Sequence, residues 1–214
     1  MKYLLTSALF IVGLFFSGCS DSTVSSSDFD LSVQEFNSEA EMRAPSPGNQ
    51  TIADIVVTSA SADEDAEFTL LLAALEYTGL TDVFTGNDQY TVFAPVDQAF
   101  LNLVDELSDN LDQDILENEG PFAAIDELLG EDAVANVLLY HVTEGRRAAN
   151  SVVPRNMRAK ERKINTLLDD ASFYVAFGGI ITDIAGQEVS ITAADISASN
   201  GIIHVIDTVL LPLE

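Results

Sequence analysis

The chain has 214 residues, 47% of them apolar, which is ample for a packed core and excludes a disordered or collagen-like polypeptide. Nine Lys and Arg stand against 35 Asp and Glu, a formal net charge of −26, so the molecule as a whole repels phosphate backbones and no nucleic-acid partner is expected. The single cysteine, Cys19, rules out an intrachain disulfide and a cysteine-based zinc cluster, and with only two histidines neither a metal nor a cofactor is expected.

Lys2 opens an N-terminal segment, Leu4 to Phe16, whose only polar members are Thr6 and Ser7. Its length suits the apolar region of a secretory signal and falls short of the ~20 residues that a membrane-crossing helix needs. Phe16-Ser17-Gly18-Cys19 at its end resembles a bacterial lipobox, with Phe where Leu is commoner. The resemblance implies cleavage after residue 18 and lipidation of Cys19, with the acyl chains as the contact to the membrane. An ordinary secretory signal beside a chance cysteine is the alternative. Residues 19–50 then read as the anchor site and a flexible tether, rich in Ser and Asp and closing on Pro45-Ser46-Pro47-Gly48-Asn49. Such a stretch buries too little apolar surface to offset the entropy of ordering it. Ser20, directly after the cysteine, favours the outer membrane or cell surface over the inner membrane under the enterobacterial sorting habit.

Residues 51–214 show no break in composition and no fixed-period repeat, and read as one domain. Thr51 is placed to cap a helix that carries Ile52, Ile55 and Val56 on one face. Phe68 to Tyr77 predicts a second helix, with Leu71, Leu72 and Leu75 spaced for burial and Gly79 as its stop. Tyr90 to Ala94 predicts a strand ended by Pro95, and Asp97 a cap for a short helix through Phe100 and Leu103. Two more helices are predicted around Phe122–Leu129 and Asp132–Leu139. The period then changes: Ile164–Leu168, Phe173–Phe177, Ile180–Ile184, Val189–Thr192 and Ile202–Leu211 are β-rich runs bounded by Gly, Asp and Asn. Helices first and strands later, without alternation, predict an α+β domain built on antiparallel strands.

Three segments in this stretch resemble the fasciclin domain. Thr91-Val92-Phe93-Ala94-Pro95-Val96-Asp97-Gln98-Ala99-Phe100 is similar to that family's first signature, with Val96 where a threonine is usual. Leu139-Tyr140-His141-Val142 is similar to its central Tyr-His motif, and Asn200 to Pro212 to its closing signature almost without change. Thr166-Leu167-Leu168-Asp169 departs from the pattern by lacking a glycine often found there. The resemblance covers about Thr51 to Pro212. It implies a wedge-shaped β-sandwich flanked by several short helices, and a role in contacts between cells, matrix or surfaces. In animal members a Tyr-His pair and an Asp-Ile pair have been implicated in binding; the matching positions here are Tyr140, His141, Asp195 and Ile196.

Read from the residues alone, His141 between Leu139 and Val142 is expected to be buried and bonded to backbone, and His204 to share a strand face with Ile202 and Ile206. Asp112-Gln113-Asp114 and Asp63-Glu64-Asp65 invite a calcium reading, yet counting from Asp112 gives Glu117 and Ala123 where an EF-hand loop needs Gly and Glu. Between Ala44 and Gly145 every charged residue is acidic, whereas Arg146, Arg147, Arg155, Arg158, Lys160, Arg162 and Lys163 hold seven of the chain's nine cations. That cluster reads either as a contact for an anionic glycan or an acidic surface protein, or as a solvated loop neutralised by the rest of the molecule. Aromatics do not interleave with these cations, which further weakens a nucleic-acid reading, and glutamine in place of the arginines and Lys163 is expected to leave folding nearly intact. There is no G-x-S-x-G elbow, P-loop or dinucleotide glycine pattern, so no enzymatic activity is expected. The reading is an envelope lipoprotein that adheres through protein or glycan binding; a periplasm-facing accessory or ligand-binding lipoprotein is the alternative.

Overall fold

The computed structural model describes residues 46–212 apart from 63–65 and 109. The signal-like segment, Cys19, the tether up to Pro45 and the Asp63-Glu64-Asp65 run lie outside the described residues.

The helices come first, as the periodicity requires. α1 (Ile52–Ala60) opens on a reciprocal cap in which the Thr51 hydroxyl accepts the Asp54 N–H and the Asp54 carboxylate accepts the Thr51 N–H. α2 (Thr69–Thr78) stops at Gly79, whose φ of +69° is the left-handed turn that ends many helices. A 3-10 turn (Leu80–Phe84) leads to β1 (Tyr90–Pro95), followed by α3 (Asp97–Leu107), α4 (Gln113–Asn118), α5 (Pro121–Leu129) and α6 (Ala133–Tyr140). The cap expected at Asp97 is corrected: Val96 occupies the cap position of α3 and forms no side-chain cap bond there. Asp97 instead turns to α2, accepting the Leu70 N–H at 2.8 Å and the Thr69 hydroxyl. It satisfies the open end of a neighbouring helix that has no side-chain cap of its own.

β2 (Val142–Glu144) and α7 (Ala149–Val152) precede the strand-rich half: β3 (Arg162–Asn165), β4 (Ser172–Val175), β5 (Ile180–Thr182), β6 (Glu188–Ala198) and β7 (Gly201–Ile206). The seven strands form one ladder, β2-β1-β7-β6-β5-β4-β3. β6 serves both halves of it. Glu188 to Ser190 pair with β5, Ile191 to Ala198 pair with β7, and the register slips twice between Ile191 and Ile196. Such irregularities bend a strand. Phe93 of β1 and Ile206 of β7 meet Ile164, Phe173, Val175, Ile181 and Val189 of β3 to β6 in one core, the sandwich interior. Val92, Ala94, Ile203 and Val205, pointing the other way, join Val56, Leu71, Leu75, Leu103 and Leu138 of the helices in a second core.

The strands are not all antiparallel as expected. β1 and β7 run parallel, from Tyr90 opposite Gly201 to Pro95 opposite Ile206. Both are covered on both faces, and parallel strands in that position read as continuous apolar runs, here Val92-Phe93-Ala94 and Ile202-Ile203. The last residues of the Ser/Asp-rich stretch lie against β6: the Gly48 N–H donates to the Ala198 carbonyl and the Ser199 N–H to the Gln50 carbonyl. A Cβ at Gly48 would stand 2.2 Å from the Ser197 carbonyl oxygen, so only glycine allows this approach.

Candidate functional site

The segments singled out in the sequence converge inside the domain. Phe93 crosses Phe173 edge-on, with centroids 5.0 Å apart, and Tyr140 also crosses Phe173 edge-on, at 5.8 Å. His204 lies 5.4 Å from Phe93, so the four rings form one continuous stack through the sandwich. Tyr140 is 0% exposed and His141 2%. The Tyr140 hydroxyl donates to the Ser172 carbonyl and accepts the Ile184 N–H, and burial pushes its pKa up to about 12 against the lowering effect of that N–H.

His141 caps the end of α6 from within. Its Nδ1–H donates to the Val137 carbonyl at 2.7 Å, and its Nε2 accepts the Leu210 N–H at 2.9 Å. The two partners fix a neutral ring with one tautomer. His204 is fixed in the opposite sense: Nε2–H donates to the Arg147 carbonyl at 2.9 Å and Nδ1 accepts the Asp195 N–H. Burial pulls both pKa values down, that of His141 to about 4 against the Val137 carbonyl, and that of His204 against the Arg147 carbonyl and Asp195. The unfolded chain takes up these protons near the ordinary value of 6.5 while the folded chain resists them. The stabilisation is therefore complete above about pH 6.5 and is lost as the pH falls toward 4.

Asp195 and Ile196 sit half-buried on the irregular stretch of β6. Asp195 has a left-handed φ of +63°, and its carboxylate accepts the Ala149 N–H at the start of α7. Ile196 lies opposite Ile203 and leans on the helical core. Asp195 is thus brought to His204, not to Tyr140 or His141. All four positions are joined to neighbouring elements, and Tyr140 and His141 are buried.

The cation cluster divides in two. The Arg146 guanidinium donates to the Ala198, Gly201 and Ser46 carbonyls and to the Ser197 hydroxyl. Arg147 donates from Nε to the Glu144 carbonyl, and Arg162 to the Ser151 carbonyl. The expectation that all of these can be exchanged for glutamine without harm is corrected: Arg146 ties Ser46, β6 and β7 together, and glutamine lacks the fork to do so. Arg155, Arg158, Lys160 and Lys163 are exposed, and their side chains form no hydrogen bond or ion pair among the described residues.

Sequence reasoning missed two buried polar clips. The Asn200 amide donates to the Phe84 and Gly86 carbonyls and its oxygen accepts the Ile52 N–H, binding α1 and the 3-10 turn to the β6–β7 turn. Asp183 accepts the Gln187 and Leu211 N–H groups. Asn200 was visible as the first residue of the closing signature; Asp183 carried no signal. Asp112, offered for calcium, accepts the Asp114 and Ile115 N–H groups as the cap of α4. Among the described residues no three His, Cys, Asp or Glu stand close enough together to hold a metal ion, and no helix is long and apolar enough to cross a membrane. A cleft of about 370 Å³ between α6 and the β3–β4 connection has Val137, Leu168 and Ile184 in its walls and Glu131, Asp169 and Asp170 among its polar residues, with no histidine, serine or lysine.

Residues 66–212 match the family model of the fasciclin domain. The chain belongs to the fasciclin family. A Synechocystis protein, sll1483, is 29% identical over 148 residues, covering 68% of this chain and 67% of its own. The pig transforming growth factor-beta-induced protein ig-h3 is 30% identical over 69% of this chain, and human periostin 24% over 71%. These animal relatives are far longer, the matched regions being 18% and 15% of them. The structure is similar to that of a FAS1 domain pair from the insect cell adhesion molecule fasciclin I, with a TM-score of 0.55 at 18% identity, covering 77% of this chain and 51% of that one. That likeness shows the fold. In this fasciclin domain the first and closing signatures are the paired central strands β1 and β7, and the Tyr-His motif ends the helix packed against them.

Proposed function

We propose that this fasciclin protein is held at the bacterial cell envelope, at the outer membrane or cell surface, by a lipid on Cys19, and that its domain mediates adhesion by binding a protein or glycan. The observation that carries the reading is the fasciclin match over residues 66–212, downstream of a lipobox-like Phe16-Ser17-Gly18-Cys19. The likeness to a domain pair from an insect cell adhesion molecule supports the adhesive part by analogy. Binding without catalysis fits the neutral, fully bonded state of both histidines, which leaves neither as an available acid or base.

Protease shaving of intact cells, read by mass spectrometry, tests this. Peptides from residues 66–212 are expected in the supernatant, and Cys19→Ser is expected to release the whole domain into the medium. Full protection in intact cells with cleavage only after lysis would contradict surface adhesion and leave a periplasm-facing accessory lipoprotein.

A further inference from the structure

Four cations that pair with nothing among the described residues lie on β3 and on the loop entering it, and β3 is paired with the strand that carries the exposed ring of Tyr174 and leads to Phe177. From this juxtaposition we infer that the outer face of β3–β4, with the loop entering β3, binds an acidic polysaccharide carrying carboxylate or sulfate groups. The inference deepens the adhesive reading above and rests on it.

Arg155, Arg158 and Lys160 lie on the exposed loop before β3, and Lys163 lies on β3 itself. In a chain of 35 acids and nine bases, each cation had many carboxylates within the same molecule to pair with, and these four pair with none among the described residues. The β3–β4 register supplies the aromatic component. Lys163 is directly opposite Tyr174, which sets their Cβ atoms about 5 Å apart. The next pair, Ile164 and Phe173, is buried, so Lys163 and Tyr174 face outward. Arg162, opposite Val175, marks the end of the sheet where β4 turns through Phe177 into β5. The cationic loop arrives at that same end. Tyr174 and Phe177 are each 46% exposed, and Met157 in the loop is 83% exposed.

Sequence order hides this arrangement, because the cations and the rings lie on successive segments and meet only through the strand pairing. An exposed ring offers a face to the C–H groups of a sugar, while neighbouring Arg and Lys reach its carboxylate or sulfate. A sheet face suits an extended polymer. Lys163 alone would be accounted for as a guard on an edge strand against pairing with another sheet. The other three cations lie off the strand, and a guard needs no aromatic platform. A lipid surface fits less well, because Tyr174 is flanked by Lys163 and Thr182, polar groups that entry into a bilayer would strip of water.

The charge of the whole molecule sets a distinctive salt dependence. At about 0.01 M salt the screening length, about 30 Å, lets a polyanion feel the net charge of −26 and be repelled. At about 0.15 M it shrinks to about 8 Å and the local cations decide. Affinity is expected to rise between these conditions and fall again near 1 M.

The test uses the full chain carrying Cys19→Ser, which removes the expected anchor as a route to lipid, against immobilised polygalacturonate and dextran sulfate. Neutral dextran, polyglutamate and phosphatidylglycerol vesicles are the comparisons. The acidic polysaccharides are expected to bind with the rising and falling salt profile. Exchanging Arg155, Arg158, Lys160 and Lys163 together for glutamine is expected to weaken binding about tenfold or more. Tyr174→Ala is expected to weaken it about fivefold with the salt profile unchanged. All these side chains are exposed, so urea midpoints matching the parent's would show that folding is intact. No polysaccharide binding at any salt overturns the inference. So does binding that polyglutamate or the vesicles reproduce and Tyr174→Ala leaves unchanged, or self-association abolished by the glutamine exchange, which assigns the cations to the acidic helices of a second copy. Loss of this binding with the domain still shaved from intact cells would leave adhesion standing and this ligand wrong; binding with the domain protected would do the reverse.

Discussion

His204→Asp is expected to cost the fold about 4 kcal/mol or more at neutral pH, most of the stability of a domain at the lower end of the ordinary range of about 5–15 kcal/mol. His204 is 0% exposed, on a strand whose neighbours Ile202 and Ile206 are equally buried, with the Phe93 ring at 5.4 Å. The ring donates to the Arg147 carbonyl and accepts from the Asp195 N–H. A carboxylate keeps the acceptor and loses the donor, so the Arg147 carbonyl meets a negative charge where it had a hydrogen. The charge also lacks a cation in the core, and an unpaired buried charge is among the few single changes with effects this large. Urea unfolding is the measurement, and a midpoint equal to the parent's would mean that position 204 is open to water.

Gly201→Ala is the second large effect, about 3 kcal/mol, and its cause is space rather than charge. A Cβ at Gly201 would stand 2.1 Å from the Tyr90 carbonyl oxygen and 2.7 Å from Ile52 Cδ1. The Ile52 side chain can rotate; the Tyr90 carbonyl is backbone of β1. Tyr90 opposite Gly201 is the first pair of the parallel β1–β7 ladder, and the Tyr90 N–H donates to the Asn200 carbonyl. Separating these strands to admit a methyl group also pulls on the Asn200 side chain, which holds Ile52, Phe84 and Gly86. The expected signature is a lowered urea midpoint with unfolding still in a single step. An unchanged midpoint would mean that the two central strands are not in this register.

Much of this was legible in the sequence, and for physical reasons. Thr51 and Gly79 are local signals, a hydroxyl that satisfies an open helix end and a residue free to turn left-handed, and both act where they were read. His204 followed from the period of two. The parallel pairing of β1 and β7 was not legible, since strand direction depends on which distant segments meet and not on either segment's pattern. Asp97 was misread for a related reason: a carboxylate placed at one helix start is close in space to another, and it bonds the start of α2 rather than that of its own helix. The cation cluster looked uniform because charge is visible in sequence and carbonyl partners are not. Arg146 closes on three carbonyls from distant segments, whereas Arg155, Arg158, Lys160 and Lys163 close on nothing among the described residues.

These features separate two jobs in the molecule. The signature residues Thr91, Phe93, Tyr140, His141, Asn200 and His204 are buried and hydrogen-bonded or stacked, and they hold helices, sheet and turns in register. The outer surface carries Arg155, Arg158, Lys160 and Lys163, which pair with nothing among the described residues, and the exposed rings of Tyr174 and Phe177. On that division the Tyr-His motif builds the domain, its two side chains buried and bonded within it.

The direct measurement of that claim is long-range proton–nitrogen correlation NMR of the two imidazole rings, followed from pH 8 to about pH 5. The expected result is two neutral rings of opposite tautomer, Nδ1–H for His141 and Nε2–H for His204, with no titration of His141 before the pH nears its depressed value of about 4. A His141 ring that titrates near 6.5, the ordinary value, would place it in water and return the Tyr-His pair to the surface as a contact site.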